Sequence, residues 1–397
     1  MNKMYHVFFT FLSIPLGFLS YYFSFLYPAE IVSRIFLNFF QLISVPIIFF
    51  SLASSLSGMK SLREVKDMGG KILSYTLFTT LIAASISLLL LVFLHPSNPS
   101  LSLNVGEELK NHTGSYLSFL LKMVPDNFIK AFLENNIMGV AFLGAIAGLC
   151  TLRLEEEQKV FVRQVFSSFF SLILKVTEWL LYLMPLAIWA FSAVFFNEAF
   201  SGSGNLEALF LYVVCVLGSN VIQGVFIIPA FLKWKGASPS KVLVGMHPAL
   251  LTAFFSKSSN IALPLAINCA VKELNISPKV AKVSFPMCSV INMNGCASFI
   301  LTTVLFVSMC HGMTFSPLEL VFWILLATVA AVGNAGVPMG CYFLSGAFLT
   351  GMGVPLYILG LILPFYTFFD MVETALNVWS DSAIAVVIDK DSQRQAS

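Results

Sequence analysis

The stretch "FFDMVETALNVWSDSAIAV" (Phe368–Val386) carries three carboxyl groups inside an apolar run near the end of the chain. They belong to Asp370, Glu373 and Asp381, and no basic residue lies among them. At about 100° per residue, these positions and Asn377 would fall within roughly 80° of arc on a helix. The stretch therefore predicts an apolar helix with one polar stripe.

A stripe of this kind is costly in a membrane, because each acidic group costs about 2.5–3.5 kcal/mol at the bilayer centre. It can persist only where it faces the protein interior and meets positive charge. Lys257 is the central lysine that could act as a partner, and one lysine cannot balance three carboxylates. Ions and a substrate ammonium are therefore the expected partners, with pairing to distant lysine or arginine residues as the alternative.

The composition favours a polytopic helical membrane protein. Of the 397 residues, 58% are hydrophobic and 11% are charged, whereas a soluble domain carries about a quarter charged residues. The sequence has no basic patch with interleaved aromatic residues, so nucleic acid is not an expected partner. The seven cysteines form no CxxC pair, so neither a disulfide framework nor a metal cluster is expected.

Spanning helices of about 20 apolar residues account for the first half of the chain. They are predicted at roughly 5–26, 30–58, 70–95, 136–153, 160–192 and 205–232. Lysine and arginine residues follow the second helix at 60–71, which places that loop in the cytoplasm. An even number of crossings then puts both termini on the cytoplasmic side.

The segment Val242–Val271 predicts a re-entrant hairpin. Its only charge is Lys257, near the middle, and each half of about 14 residues is too short to cross a bilayer. Lysines on both flanks place both ends in the cytoplasm. The polar tip would then lie inside the membrane.

A second hairpin is predicted within Leu320–Phe369, fifty residues without a charge. "GNAGVPMG" (Gly333–Gly340) interrupts it, and such a break is tolerated at membrane depth only where it is buried in protein or lines a cavity. This hairpin would enter from outside and precede the final helix. Two interrupted segments entering from opposite sides indicate an inverted repeat with a transporter's binding site at the midplane.

Between the hairpins, "INMNGC" (Ile291–Cys296) offers amide oxygens, a thioether and a point where a helix can unwind. With "LLTAFFSKSSNIALP" (Leu250–Pro264), "AVGNAGVPMG" (Ala331–Gly340) and "DMVETALNVWSD" (Asp370–Asp381), it resembles the ordered motifs of the dicarboxylate/amino acid:cation symporter family, the glutamate-transporter group. There the motifs are a serine-rich hairpin tip, an NMDGT helix, a Gly-Val-Pro hairpin tip and a last helix of pattern D-x-x-R-T-x-x-N-V-x-x-D.

The resemblance implies an all-α polytopic membrane protein with eight transmembrane helices and two re-entrant hairpins, assembled in lipid as a homotrimer. A transport domain would move as an elevator against a scaffold. The implied scaffold comprises 1–68 and, with an outer loop, 97–200. The implied transport domain comprises 69–96 and 201–390, and 391–397 would be a cytoplasmic tail.

The resemblance also implies the ligand residues. Asp370 would hold the α-ammonium group of the substrate, and Asn377 would face its α-carboxylate. The other residues implied to line the substrate site are Ser258, Ser259, Cys296, Gly336, Val337, Glu373 and Thr374. The residues implied to bind sodium, in part through backbone oxygens, are Thr79, Thr80, Cys288, Val290, Asn292, Met293, Asn294, Asn334, Asn377 and Asp381.

Three departures from the family pattern bear on the substrate and the ions. Glu373 stands where members with acidic substrates carry Arg, and Cys296 replaces the Thr of NMDGT. Because like charges repel strongly at a desolvated contact, a neutral or basic amino acid is the expected substrate. Asn294 replaces the Asp of NMDG, so one sodium site could be lost, or a proton could replace that ion. Glu373 could carry the proton, since burial favours its neutral form.

Other functions are weighed against sodium-coupled amino acid uptake. Symport of glutamate or dicarboxylates, as in the family majority, is the first, and an ion channel, which also uses re-entrant tips, is the second. An enzyme is disfavoured because Asp370 and Asp381 would lie about 16 Å apart along one helix, too far to share a proton. The expected location is a bacterial inner membrane.

Overall fold

A computed structural model of the chain describes residues 3–58, 66–96, 124–133, 137–200, 206–333 and 339–396, and their regular secondary structure is helical. The helices of the first half are α1 (Lys3–Tyr22), α2 (Tyr27–Ser57), α3 (Lys66–Leu94), α4 (Phe128–Leu133), α5 (Ile137–Thr151), α6 (Glu156–Tyr182) and α7 (Met184–Phe200). The helices of the second half are α8 (Leu206–Ile222), α9 (Ile228–Trp234), α10 (Pro239–Ser256), α11 (Ser259–Lys272), α12 (Pro278–Ile291), α13 (Asn294–Cys310), α14 (Pro317–Gly333), α15 (Gly340–Gly351) and α16 (Tyr357–Ala396).

The helices predicted for the first half are present, with one correction. The single helix predicted at 160–192 is wrong, because α6 and α7 meet at Leu183. Pro185 explains the division, since proline has no N–H to donate and its ring clashes with a preceding helical turn, whereas it is well accepted at the start of a helix. α1 and α2 both pack against α7.

Four helical stretches among the described residues are long and apolar enough to cross a membrane. They are Met68–Leu94, Glu207–Trp234, Pro278–Cys310 and Tyr357–Gln393. Two of the four are interrupted: a π-helical turn at Gln223–Ile227 joins α8 to α9, and a non-helical break separates α12 from α13.

The first predicted hairpin corresponds to α10 and α11, which pack against each other. Lys257 adopts a left-handed backbone conformation (φ 53°) that ends α10 and reverses the chain. Ser258 begins α11 as its N-cap residue, and its hydroxyl oxygen accepts the Ile261 N–H at 3.4 Å. The polar residues of this segment therefore form its tip.

The arms of the second predicted hairpin correspond to α14 and α15. The predicted tip residues Asn334, Gly336 and Val337 lie outside the described residues. Met339, at φ 57°, precedes α15 in a left-handed conformation.

Two apolar cores divide the interior. The first core contains α13, the buried residues of α14 and α15, and the part of α16 that ends at Phe369. The second core contains the first hairpin, α12 and the part of α16 that begins at Leu376. The first hairpin packs against the later half of α16, whereas α14 and α15 pack mainly against α13, and α15 touches the early half of α16 through Tyr342. The polar stripe of α16 and the break between α12 and α13 lie at the boundary of the cores, which we call the polar layer.

Candidate functional site

The polar stripe on α16 faces the protein interior, as predicted. Its members, all 9% or less exposed, are Asp370, Glu373, Thr374, Asn377 and Asp381. Two ion pairs occur among the described residues, and neither involves the stripe. Carboxyl groups buried in this way require hydrogen bonds, cations or protons.

Asn377 connects the stripe to the helix break. Its Oδ1 accepts the Gly295 backbone N–H at 2.9 Å, and its Nδ2 lies 3.5 Å from both Met293 Sδ and Cys296 Sγ. The first N–H groups of a helix have no partner within that helix. Asn377 therefore supplies the hydrogen-bond acceptor for one of the first backbone N–H groups of α13.

Gly295 allows α13 and α16 to touch at their backbones. A Cβ atom added there would lie 2.8 Å from Glu373 Cα and 2.9 Å from Glu373 Cβ. Non-bonded carbon atoms do not approach this closely, so a side chain at this position would push the helices apart. Glycine in "NMNG" thus brings Glu373 against the start of α13.

Asp381 is held by the first asparagine of the break. Asn292 Nδ2 donates to Asp381 Oδ1 at 2.8 Å. The Asn292 Oδ1 lies 3.4 Å from the Thr79 hydroxyl of α3 and 3.3 Å from the Ser380 hydroxyl. Three predicted sodium residues, Thr79, Asn292 and Asp381, are therefore neighbours in a buried polar network.

Asn294 belongs to the same network through neutral partners. Its Oδ1 accepts the Thr80 hydroxyl proton at 2.7 Å, and its Nδ2 donates to Ser380 Oγ at 2.7 Å. Both polar ends of the amide are thereby satisfied. Where an Asp would bring negative charge, this chain has a closed set of neutral hydrogen bonds.

The remaining predicted sodium residues lie near the break to different degrees. Cys288 is buried in the last turn of α12, and its carbonyl accepts the Asn292 N–H at 2.8 Å. Val290, in the same turn, is half-buried. Met293 is buried beside Asn377, and Asn334 lies outside the described residues.

Glu373 is the least satisfied group of the stripe. Its side chain is 1% exposed, and neither carboxyl oxygen has a hydrogen-bond partner among the described residues. The Sγ atoms of Cys296 and Cys341 and a carboxyl oxygen of Glu373 all lie within 4.8 Å of one another. The carboxyl group thus lies beside two thiols.

Asp370 lies nearer to the first hairpin tip. Its carboxylate is 9% exposed, and the Lys257 ammonium is close enough to act on it electrostatically, without forming an ion pair. Ser259 is buried and Ser258 half-buried at this tip. Thr374 donates its hydroxyl proton to the Asp370 carbonyl at 2.7 Å. One positive charge therefore faces one of the three carboxylates.

Several residues of the polar layer were not predicted. Ser380 bridges both asparagine side chains, and it lies beside the stripe on α16, where a wider arc would have included it. Gln223, in the π-helical turn, donates from Nε2 to the Thr79 carbonyl at 3.0 Å. Trp379 donates to the Gly224 carbonyl of the same turn at 3.0 Å. Such turns occur often at functional sites. Cys341 had no signal in the sequence.

A buried polar layer between two apolar cores, crossed by an interrupted helix, is typical of an integral membrane transporter. The sequence matches the sodium:dicarboxylate symporter family over residues 7–391. The chain belongs to this family, which confirms the resemblance. It is accordingly a transporter and not an enzyme.

Several known proteins align with the sequence over most of its length. The chain is 26% identical over 405 residues to glt-3 of Caenorhabditis elegans, which carries the name of a sodium-dependent excitatory amino acid transporter, with 91% of this chain and 75% of that protein covered. It is 22% identical over 412 residues to neutral amino acid transporter B(0) of Rattus norvegicus, covering 90% and 72%. The human transporter of the same name is 23% identical over 395 residues, covering 90% and 72%. The family and these relatives together support sodium-coupled transport of an amino acid or a dicarboxylate.

Proposed function

We propose that the chain is a symporter that takes up a neutral or basic amino acid together with sodium. The observation that carries this choice of substrate is the carboxyl group of Glu373. It is buried, its oxygens have no hydrogen-bond partner among the described residues, and it replaces the Arg of members with acidic substrates. The family and the names of its relatives support the coupling to sodium.

The charge at position 373 disfavours an acidic substrate. A side-chain carboxylate of glutamate or aspartate would meet another carboxylate at a buried position, at a cost of several kcal/mol. A basic side chain would instead supply the missing cation. A neutral side chain would leave Glu373 protonated, since an isolated buried carboxylate is far too costly.

The α-ammonium and α-carboxylate groups of the substrate would bind to residues of α16 on either side of Glu373. Asp370 is buried beside the first hairpin tip and would bind the α-ammonium group, because the nearby Lys257 forms no ion pair with its carboxylate. Asn377 faces the same layer, although its amide already contacts the helix break. Thr374 and the serine tip, Ser258 and Ser259, would complete this end, with Gly336 and Val337 from the second tip.

Sodium would bind at the Asp381 end of the polar layer. Asp381 and Asn292 offer the oxygen ligands that a dehydrated sodium ion needs, and carbonyls of the last turn of α12 after Cys288 would add to them. The neutral network around Asn294, in which Thr80 and Ser380 take part, supports a weaker or missing second site. Glu373 would then be the group that carries a coupled proton.

The larger assembly follows the family. We place the scaffold at 1–68 and 97–200 and the moving transport domain at 69–96 and 201–390, in a homotrimer that works as an elevator. The packing of the first hairpin on α16, and of α14 and α15 on α13, supports movement of that part as one unit. The location would be the cell membrane, the inner membrane in a bacterium, with both termini in the cytoplasm.

Uptake by purified protein in liposomes tests the proposal. We expect saturable uptake of a radiolabelled neutral or basic amino acid that requires a sodium gradient and stops when sodium is replaced by choline. Glutamate and dicarboxylates should compete poorly. Sodium-dependent glutamate uptake that neutral and basic amino acids cannot inhibit would show that the substrate assignment is wrong. Ohmic conductance without any substrate would indicate a channel instead.

The protonation of Glu373 needs a separate experiment. If Glu373 carries a coupled proton, wild-type uptake should change across a pH series, and Glu373→Gln should remove that dependence. Glu207→Gln, which makes the same change at an exposed glutamate in the first turn of α8, is the matched control and should keep the wild-type profile. A wild-type rate that does not respond to pH would contradict proton coupling.

A further inference from the structure

A buried cluster of two thiols and a carboxyl group lies in the polar layer. Cys296 comes from the start of α13, Cys341 from the start of α15 and Glu373 from the middle of α16, so three helices meet here. Each residue offers one ligand atom, and the three atoms lie within 4.8 Å of one another. The side chains are 4%, 2% and 1% exposed, in that order.

We propose that these three side chains form a binding site for a thiophilic divalent cation such as Zn²⁺, and that the bound ion inhibits transport. The effect on transport rests on the proposed substrate site, whereas the binding itself does not. The carboxyl oxygens of Glu373 are buried and accept no hydrogen bond from an N–H or O–H group of the described residues, so beside the two thiols they are open to a ligand.

The geometry suits such an ion after a small contraction. Thiolate sulfurs bind zinc at about 2.3 Å, and carboxylate oxygens at about 2.0–2.2 Å, so two sulfurs around one tetrahedral ion lie about 3.8 Å apart. The observed limit of 4.8 Å requires at most about 1 Å of closure. Three protein ligands leave the fourth position of the ion open to water or to a substrate group.

The ligand chemistry separates this site from the sodium site. Thiolates favour soft or borderline cations, whereas sodium prefers the amide, carbonyl and carboxylate oxygens found around Asp381 and Asn292. Binding releases to solvent the two thiol protons and, where Glu373 is protonated, its carboxyl proton, because thiolate and carboxylate are the ligands. Two thiolates, one carboxylate and one divalent cation leave a net charge of −1, and no oxidation takes place.

Occupancy would block transport for two reasons. The ion would occupy the space beside Glu373, where we place the side chain of the substrate. It would also bind α15 to α13 and α16 directly, and these helices carry the second hairpin and the substrate site. Inhibition should therefore be competitive with the amino acid.

Cadmium titration of the purified protein tests the site, with a reductant that does not bind metals present to exclude disulfide formation. We expect one Cd²⁺ per protomer and the ultraviolet absorption band of cadmium bound to thiolate. Cys296→Ser and Cys341→Ser should each lower the affinity for Cd²⁺ at least about tenfold. Even the removal of a residue that only hydrogen-bonds to a metal ligand lowers metal affinity about 10–100-fold. Each serine variant should also lose about half of the band.

Two further variants complete the experiment. Glu373→Gln should weaken binding while the thiolate band stays, since both sulfurs remain. Cys310→Ser is the matched control, because Cys310 is buried on the same helix as Cys296, about 21 Å away along its axis, and it should behave like wild type. Gel filtration and thermal unfolding would confirm that each variant is folded.

The inference is overturned if wild type gives no saturable band, or if the Cys296 and Cys341 variants bind Cd²⁺ like wild type. Zn²⁺ inhibition of uptake is the functional measurement, and Cys341→Ser should resist it at least about tenfold. Metal binding without any amino acid uptake would support the site and refute the proposed symport. Uptake with no metal binding would do the reverse.

Discussion

Replacing Glu373 with Arg should redirect the carrier toward acidic amino acids. Unit charges about 4 Å apart interact by about 4 kcal/mol at an effective dielectric constant of 20, which suits partly polar protein interiors. Position 373 is 1% exposed, so solvent does not screen the contact further. If rearrangement cancels half of this energy, about 2 kcal/mol remains, which corresponds to about a 30-fold change in preference.

Competition between labelled substrates in liposomes measures this change. The quantity to compare is kcat/KM for glutamate divided by kcat/KM for the preferred neutral or basic amino acid. Glu373→Gln is the matched variant, because it removes the charge and keeps the shape of the side chain. The ratio should rise from wild type to the Gln variant and rise again in the Arg variant.

Two results would refute this reasoning. If wild type and Glu373→Arg discriminate equally, the side chain at 373 does not face the substrate. If the Arg variant excludes acidic substrates more strongly than wild type does, the electrostatic sign is wrong. An Arg variant that fails to fold leaves the comparison between wild type and Glu373→Gln, for which a rise in the ratio is still required.

Three further substitutions probe the polar layer. Gly295→Ala should lower the free energy of unfolding by about 1–3 kcal/mol, and with it the thermal unfolding temperature, because the added Cβ would overlap α16. Gly218→Ala is the control, since its nearest contact is at 3.5 Å, and it should be neutral or stabilising. Equal losses of stability in both variants would contradict the close approach of α13 and α16. Asp381→Asn should raise the half-saturating sodium concentration at least about tenfold in uptake measured over a sodium series, which corresponds to about 1.4 kcal/mol of binding free energy. An unchanged value would mean that Asp381 does not bind the ion. Asn294→Asp should lower that concentration or add a coupled sodium, seen as a steeper sodium dependence, and no change in either would mean that this position is not an ion site.

The first hairpin and the stripe could be predicted because local constraints decide them. Two half-length apolar segments with lysines on both flanks can only enter and leave on one side, and the Ser-rich centre supplies the N-cap of α11. A carboxylate on a membrane helix must turn inward whatever it contacts. Hydrophobicity and charge therefore suffice at these positions.

Other features depend on contacts that are distant in the chain. Cys341 lies 45 residues after Cys296, and only the packing of α13, α15 and α16 brings their sulfurs together. This is why the cysteine spacing indicated no metal cluster. The hydrogen bonds among Thr80, Asn294 and Ser380 likewise join three helices. The division at Leu183, by contrast, could have been predicted from Pro185.

Hydrogen-bond satisfaction separates the structural part of the stripe from the part that faces a ligand. A broken helix leaves backbone groups that need partners, and Asn377 meets this need at Gly295, while Asn292 satisfies one oxygen of Asp381. These side chains would be required even in a protein that bound nothing. The carboxylates of Asp370 and Glu373 accept no such bond from an N–H or O–H group of the described residues, and Lys257 faces Asp370 without an ion pair, so the fold compensates their charge only in part. A ligand with an ammonium group, a metal ion or a proton is what these two positions require, and this is why the proposed experiments concentrate on them.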